Sequence, residues 1–118
     1  MSETELKHDI LEMLAREFPE IGATRHQSGI ILAAHGRRIH CGPAGWPDII
    51  GYIPPRGRFL GIEVKSPGAK KQEHEPGQVK RGEHITDAGG CYLLVRSVEE
   101  ARAGIAEALK MEDTFNGD

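Results

Sequence analysis

The chain has 118 residues, of which 38% are hydrophobic and 28% are charged, and its formal net charge at pH 7 is −3. This composition is typical of one soluble globular domain, and no apolar run approaches the roughly 20 residues that a membrane span needs. Two cysteines are too few for a disulfide framework, and the N-terminus is too acidic and polar for a signal peptide, so we expect a reduced, cytoplasmic setting.

Charge is distributed unevenly along the sequence. Residues 1–20 hold six acids and two bases, residues 21–81 hold ten bases and four acids, and residues 82–118 hold eight acids and three bases. The middle is therefore basic, at +6, and the two ends are acidic, at −4 and −5. A solvated surface can segregate charge in this way by accident. The alternative is a surface that faces phosphates, where clustered lysine and arginine release counterions from a nucleic acid.

The first predicted element is a helix, because apolar residues recur at helical spacing. Ser2 and Glu5 fit an N-terminal capping box, and Pro19 marks the end. The apolar positions are Leu6, Ile10, Met13, Leu14 and Phe18.

Three strands are predicted next. Residues 29–42 fit a strand and turn, with a hairpin closing through residues 35–37. Residues 48–53 form a short strand that ends at two prolines, and residues 58–65 form another after a glycine turn. We expect these three segments to supply three strands of one sheet.

The remaining elements alternate. A second helix is predicted from Pro76 to about Ala88, followed by a near-continuous apolar strand over residues 91–96 and a final helix capped by Ser97. Residues 112–118 are expected to fray. The order helix, three strands, helix, strand, helix predicts a single α/β domain, residues 1–118, with one small mixed sheet flanked by helices.

Three charged residues lie where strands of a small core normally carry none. Side chains alternate along a strand, so Glu63 and Lys65 project to the same side. Asp48 begins the neighbouring strand and can approach Glu63 across the roughly 5 Å between strands. Two close carboxylates repel each other unless a cation lies between them, and Mg²⁺ takes oxygen ligands. Lys65 could then orient or deprotonate an attacking water, or stabilise charge on a phosphate.

A simpler interpretation stays open. Glu63 and Lys65 could lie on a solvated face, with Asp48 as a turn or cap residue. The apolar surroundings of the strand favour a site, as do Gly61, which permits close approach of another group, and Pro47, which fixes the backbone before Asp48.

The segments "GWPDIIGY" and "FLGIEVKSPG" resemble the Gly-x-Pro-Asp and Glu-x-Lys motifs of the PD-(D/E)xK nuclease superfamily, and more narrowly the compact phage and bacterial members of the VRR-NUC family. The likeness extends over most of the chain, through "HQSG", Gln78 and "GGCYLLVRSVEEA". It implies a restriction-endonuclease-like αβββαβ core with a mixed sheet. It also implies hydrolysis of DNA phosphodiester bonds with Mg²⁺ or Mn²⁺, in a phage or bacterial host cell, without an organic cofactor.

The resemblance also implies roles for particular residues. Asp48 and Glu63 would bind the metal together with the carbonyl of Val64, and Lys65 would be the catalytic lysine. Gln78 would lie beside the active site and orient Lys65 or a phosphate, although an exposed helix position would also explain it. A glutamate of the first helix would complete the site. Glu3 matches that position better than Glu5, which the capping box explains.

The function that follows is a metal-dependent DNA endonuclease. Small relatives of this plan resemble Holliday-junction resolvases, so we expect selectivity for branched DNA and a symmetric homodimer that places one site on each opposed strand. The residues expected to bind DNA are Arg37, Arg38, Lys70, Lys71, Lys80 and Arg81. The alternatives are a DNA-binding module that retains the fold without cutting, a small metal-dependent phosphatase, and a structural zinc site near His35, His40 and Cys41, whose spacing fits poorly.

Overall fold

The computed structural model describes residues 2–27, 30–40, 42–68 and 76–116. In chain order, the helices and strands are α1 (Glu3–Glu17), β1 (Gly22–Arg25), β2 (Ile30–Leu32), β3 (Arg38–His40), β4 (Ile49–Ile53), β5 (Arg58–Val64), α2 (Pro76–Asp87), β6 (Cys91–Val95) and α3 (Val98–Asn116). No helix in this part of the chain is both long and apolar enough to span a membrane.

The main sheet is four-stranded and mixed, with the order β1-β4-β5-β6. β1 and β5 both pair with β4 in antiparallel orientation, and β6 runs parallel to β5. The parallel pair requires a crossover connection, which α2 provides. The expected α/β class with a mixed sheet and flanking helices is therefore confirmed.

One face of the sheet holds the hydrophobic core against α1 and α3. The apolar stripe of α1 is buried, and so are the side chains of Leu60, Ile62 and Val64 on β5 and the inward positions of α3. The buried positions at the centre are Leu6, Ile10, Met13, Leu14, Ile49, Ile53, Leu60, Ile62, Val64, Ala101 and Ile105. The spacing of apolar residues in the sequence thus identified this face correctly.

Helix ends follow the chemistry that the sequence indicates. The N–H of Glu5 donates to Ser2 Oγ at 3.1 Å, and the N–H of Glu100 donates to Ser97 Oγ at 3.1 Å, so both expected N-caps form. After α2 the chain turns at Gly89, whose φ of 94° favours glycine. The expected extents of these helix ends agree with the structure.

Two expectations about element positions were wrong. The first core strand is β1, which follows α1 directly, whereas residues 29–42 contribute β2 and β3, a separate two-stranded antiparallel sheet. α3 also continues through Asn116, past the point where fraying was expected. Within this extension Glu112 is 2% exposed and accepts from Arg56 Nη2 at 2.8 Å.

Candidate active site

Asp48 lies immediately before β4 and is fixed on both sides. Its backbone carbonyl accepts from the N–H of His26 at 2.7 Å, which continues the pairing of β1 with β4. Its side-chain Oδ2 accepts from the N–H of Val64, at the end of β5, at 2.9 Å. The carboxylate of Asp48 is thereby held against the strand that carries Glu63.

Glu63 and Lys65 project from the face of β5 opposite the core, as the strand alternation predicts. Both are nevertheless buried, at 2% and 8% exposure. Lys65 Nζ lies 3.6 Å from Glu63 Oε2. Burying an ionic group is costly unless it is paired, and these two groups are paired with each other, so they do not lie on a solvated face.

Gln78, in the first turn of α2, completes the surroundings of Glu63. Its Nε2 donates to Glu63 Oε2 at 2.5 Å. The structure therefore brings together Glu63, Lys65 and Gln78, although Gln78 comes from a different element. The exposed-helix explanation for Gln78 does not describe this contact.

The pKa of Glu63 is raised to about 7. Burial is the main cause, and repulsion from the Asp48 carboxylate adds to it, whereas Lys65 and Lys7 act in the opposite direction. The two acids thus interact through space, as their predicted proximity requires. A carboxyl group with a pKa near 7 is strongly perturbed, and such perturbation is concentrated at functional sites.

The backbone of Val64 faces the same side as the Asp48 carboxylate. The N–H of the next residue, Lys65, donates to Val95 of β6 at 3.0 Å, so alternate residues of β5 point to β6 and to β4. The N–H and carbonyl of one strand residue point to the same side, and the N–H of Val64 donates to Asp48. The carbonyl of Val64 is therefore directed toward the side where Asp48 lies, as its expected role requires.

Close approach between the Asp48 segment and β5 depends on Gly61. A Cβ atom at this position would lie 2.7 Å from Cγ of Pro47, which packs over the strand. Pro47 is fully buried. Because Gly61 has no side chain, Pro47 can pack directly on β5, and this contact places Asp48 next to the end of the strand.

Lys7 is a site residue that sequence reasoning missed. Its Nζ lies 3.5 Å from Asp48 Oδ1, with 19% of the Lys7 side chain exposed. Glu3 lies one helical turn earlier on the same side of α1. The available signal was a single lysine beside the buried stripe of a helix whose other charges in its first three turns are acidic or histidine.

An open cleft of about 390 Å³ lies beside these groups. It has a polar lining drawn from α1, the end of β1, the segment before β4 and the start of α2. The lining residues are Lys7, Arg25, His26, Gln27, Ala44, Gly45, Trp46, Asp48, Gly77 and Gln78. Three of these side chains are basic or histidine, so the opening suits an anionic ligand.

Glu3 is not brought into a ligand group with Asp48 and Glu63. Among the described residues, no three His, Cys, Asp or Glu side chains are grouped so that they could hold a metal ion. A role for Glu3 stays a prediction. His35 and His40, considered for zinc, are exposed on the β2–β3 hairpin, and Cys41 lies outside the described residues.

The residues expected to bind DNA fall in different places. Arg37 and Arg38 are exposed on the β2–β3 hairpin, and Lys80 is exposed on α2. Arg81 is only partly exposed, and its guanidinium stacks over the ring of Trp46 at 4.2 Å from the centroid. Lys70 and Lys71 lie outside the described residues.

Comparisons with solved structures support this fold. A structure described as "VRR_NUC domain protein" aligns with a TM-score of 0.63 at 22% identity, covering 93% of this chain and 89% of that one. A second, described as "VRR_NUC domain", aligns with a TM-score of 0.54 at 21% identity, covering 90% and 97%. No family model and no curated protein matches the sequence. The chain therefore has a mixed α/β fold, and that fold is the fold of VRR-NUC domains.

Proposed function

We propose that this protein is a divalent-metal-dependent endonuclease that hydrolyses phosphodiester bonds in DNA, with selectivity for branched DNA such as Holliday junctions. The observation that carries the proposal is the convergence of Asp48, Glu63 and Lys65 beside a cleft with basic walls. The shared fold with proteins described as VRR_NUC domains agrees with it.

The residues present fit a Mg²⁺ or Mn²⁺ ion. Hard cations of this kind are commonly held by one or two carboxylates, with water and substrate oxygens in the other positions, so a cage of three acidic side chains is not required. Asp48, Glu63 and the carbonyl of Val64 would hold the ion. Burial and, to a lesser extent, repulsion from Asp48 raise the pKa of Glu63, and a cation bound between the two carboxylates would favour the ionised form. When bound, the metal supplies Lewis-acid polarisation of the phosphate and a more acidic water.

The protein's own groups have separate tasks. Lys65 stabilises negative charge that develops on the phosphate or assists deprotonation of the attacking water. Gln78 orients Glu63 through its hydrogen bond, which leaves the second oxygen of that carboxylate for the ion. Lys7, Arg25 and His26 attract the DNA backbone into the cleft.

Selectivity for branched DNA needs a second site on the opposed strand. We propose that two copies form a symmetric homodimer for this purpose, with Arg37, Arg38, Lys70, Lys71, Lys80 and Arg81 extending contact to the DNA backbone. Sedimentation of the protein with a four-way junction measures this directly. A complex that contains a single copy of the chain contradicts the dimer without affecting the chemistry.

Cleavage of a panel of four-way junctions, flaps, linear duplexes and single strands, with Mg²⁺, Mn²⁺ or chelator, tests the proposal. Wild-type protein is expected to cut branched DNA only when metal is present. Asp48→Asn keeps an oxygen that can accept from the N–H of Val64 but removes the charge, so it should lower the cleavage rate by at least about a hundredfold while DNA binding persists.

The matched control for Asp48→Asn is Asp87→Asn, which changes an exposed carboxylate at the end of α2. It should cut at the wild-type rate. DNA binding without cutting by wild-type protein under all metal conditions would instead support a non-catalytic DNA-binding module. Wild-type cutting by Asp48→Asn would refute the assigned site.

A further inference from the structure

A second pocket, of about 460 Å³, lies on the same face of the sheet as the cleft. Its walls are mainly apolar. They include the rings of Trp46 and Phe59, Ile85 of α2, and Ala88 in the turn that follows α2. The two rings meet edge to face, with centroids 6.2 Å apart and planes at 76°. Two aromatic rings set at this angle form a corner that a third flat ring can enter.

Positive charge surrounds this aromatic corner. Arg81 lies over the ring of Trp46, and its Nε is buried without a hydrogen-bond partner among the described residues. Arg58 Nε donates to the carbonyl of Gly89 at 2.7 Å and therefore forms a fixed wall. An apolar pocket with cationic walls suits a ligand that is flat and aromatic in one part and anionic in another.

The pocket adjoins the proposed active site. Trp46 lines both the pocket and the cleft that contains Asp48. Phe59 and Glu63 are four residues apart on one face of β5, a separation of about 13 Å along the strand. Because neighbouring phosphates of duplex DNA advance about 3.4 Å along the axis, this span corresponds to only a few nucleotides of one strand.

We propose that this pocket receives an unpaired base of the DNA strand whose backbone lies in the cleft. The inference rests on the proposed function and refines its substrate class to DNA with an unstacked or single-stranded nucleotide a few positions from the cut. Stacking on aromatic side chains is the usual way in which proteins hold unpaired bases, and it tolerates any base sequence. A base inside a duplex is stacked on its neighbours and does not reach this corner.

Trp46 makes the proposal directly measurable, because it is the one tryptophan of the chain. Its fluorescence is titrated, in chelator to prevent cutting, with a short single strand, with the blunt duplex of the same sequence, and with the single strand carrying abasic sites. The unmodified single strand should quench Trp46 and bind. The duplex and the abasic strand should quench weakly.

Phe59→Leu retains apolar volume and removes one ring of the corner. It should reduce the preference for the unmodified strand over the abasic strand by about tenfold, which corresponds to the loss of one stacking contact. Tyr52→Leu is the control, since Tyr52 is an exposed ring on the neighbouring strand, opposite Phe59, and does not line this pocket. A melting curve verifies that each variant folds. The comparison of the unmodified strand with the abasic strand is made on wild-type protein and so does not depend on any variant.

Three results would overturn the base pocket: equal quenching by abasic and unmodified strands, an unchanged preference in folded Phe59→Leu, or binding of free deoxyadenosine monophosphate as tight as that of the strand. The last result would assign the pocket to a free nucleotide. These binding measurements are independent of cleavage. If Trp46 fluorescence is quenched as expected but no DNA is cut, the base pocket stands and the nuclease proposal fails. If DNA is cut but the quenching does not differ between strands, the nuclease proposal stands and the base pocket fails.

Discussion

The two faces of β5 are almost equally buried and chemically opposite. On one face, Leu60, Ile62 and Val64 are fully buried in the core. On the other, Glu63 and Lys65 are 2% and 8% exposed, yet both carry ionisable groups. Burial on the first face stabilises the fold through apolar contact, whereas burial on the second raises the pKa of a carboxyl group to about 7. One strand therefore carries core side chains on one face and a buried pair of ionisable groups on the other.

The largest expected effect on stability tests the apolar face. Ile62→Ala should lower the free energy of unfolding by about 2–5 kcal/mol, because a fully buried side chain leaves a cavity in the centre of the core. Urea unfolding followed by circular dichroism measures the change. Leu94→Ala, at a position of β6 that is 39% exposed, is the control and should cost much less. Equal losses would mean that the described core is not the main source of stability.

On the charged face of the same strand, we expect a substitution to raise the free energy of unfolding at high pH, opposite in sign to the effect of Ile62→Ala. The pKa of Glu63 is about 7 in the folded protein and near 4.3 in an unfolded chain, so between these values the folded state binds more protons. Stability from this group is present at low pH and is lost as pH rises through about 7, by an amount on the order of 3 kcal/mol. Glu63→Gln removes that loss.

Urea unfolding at about pH 5 and about pH 8 in chelator tests this sign. Relative to wild type, Glu63→Gln should become more stable as pH rises, because glutamine has no carboxyl group to ionise in this buried position. Added Mn²⁺ should then stabilise wild-type protein and not the variant. A variant whose stability relative to wild type is the same at both pH values would contradict the raised pKa.

The smallest expected effect is a change in metal affinity on substitution of Lys7, which lies on α1, outside β5, and pairs with Asp48. Its ammonium lies 3.5 Å from Asp48 Oδ1, where it would compete with the proposed metal ion for that oxygen. Lys7→Met should tighten Mn²⁺ binding a few-fold, since a partly exposed ion pair contributes about 1 kcal/mol or less. Calorimetric titration with Mn²⁺ measures the affinity, with Lys80→Met as the exposed control. Weaker Mn²⁺ binding by Lys7→Met would show that the lysine assists the ion instead.

Much of this architecture was predictable because its causes are local. The alternation of β5 assigned Ile62 to the core and Glu63 with Lys65 to the opposite face. Side-chain chemistry at Ser2 and Ser97 located two helix starts. In each case the residues that determine the structure are neighbours in sequence, so the pattern alone contains the information.

The errors have causes that are not local. β1 has the sequence Gly-Ala-Thr-Arg, which lacks a β-branched alternating pattern and forms a strand because it pairs with β4. In the last turns of α3, Glu112 pairs with Arg56, which lies in a turn 56 residues away. Lys7 reaches Asp48, and Arg81 reaches Trp46, only after helices pack on the sheet. Sequence spacing does not name the partner in any of these contacts, even where, as at Lys7, the residue itself stands out.

The absence of a side chain at Gly61 has a consequence for how this centre could change over time. Pro47 rests where a methyl group would otherwise be, so even alanine there would lift the adjoining segment away from β5. The distance between Asp48 and Glu63 therefore depends on the absence of a Cβ atom at Gly61. Mutational drift at residue 61 would alter the chemistry while leaving every charged group in place.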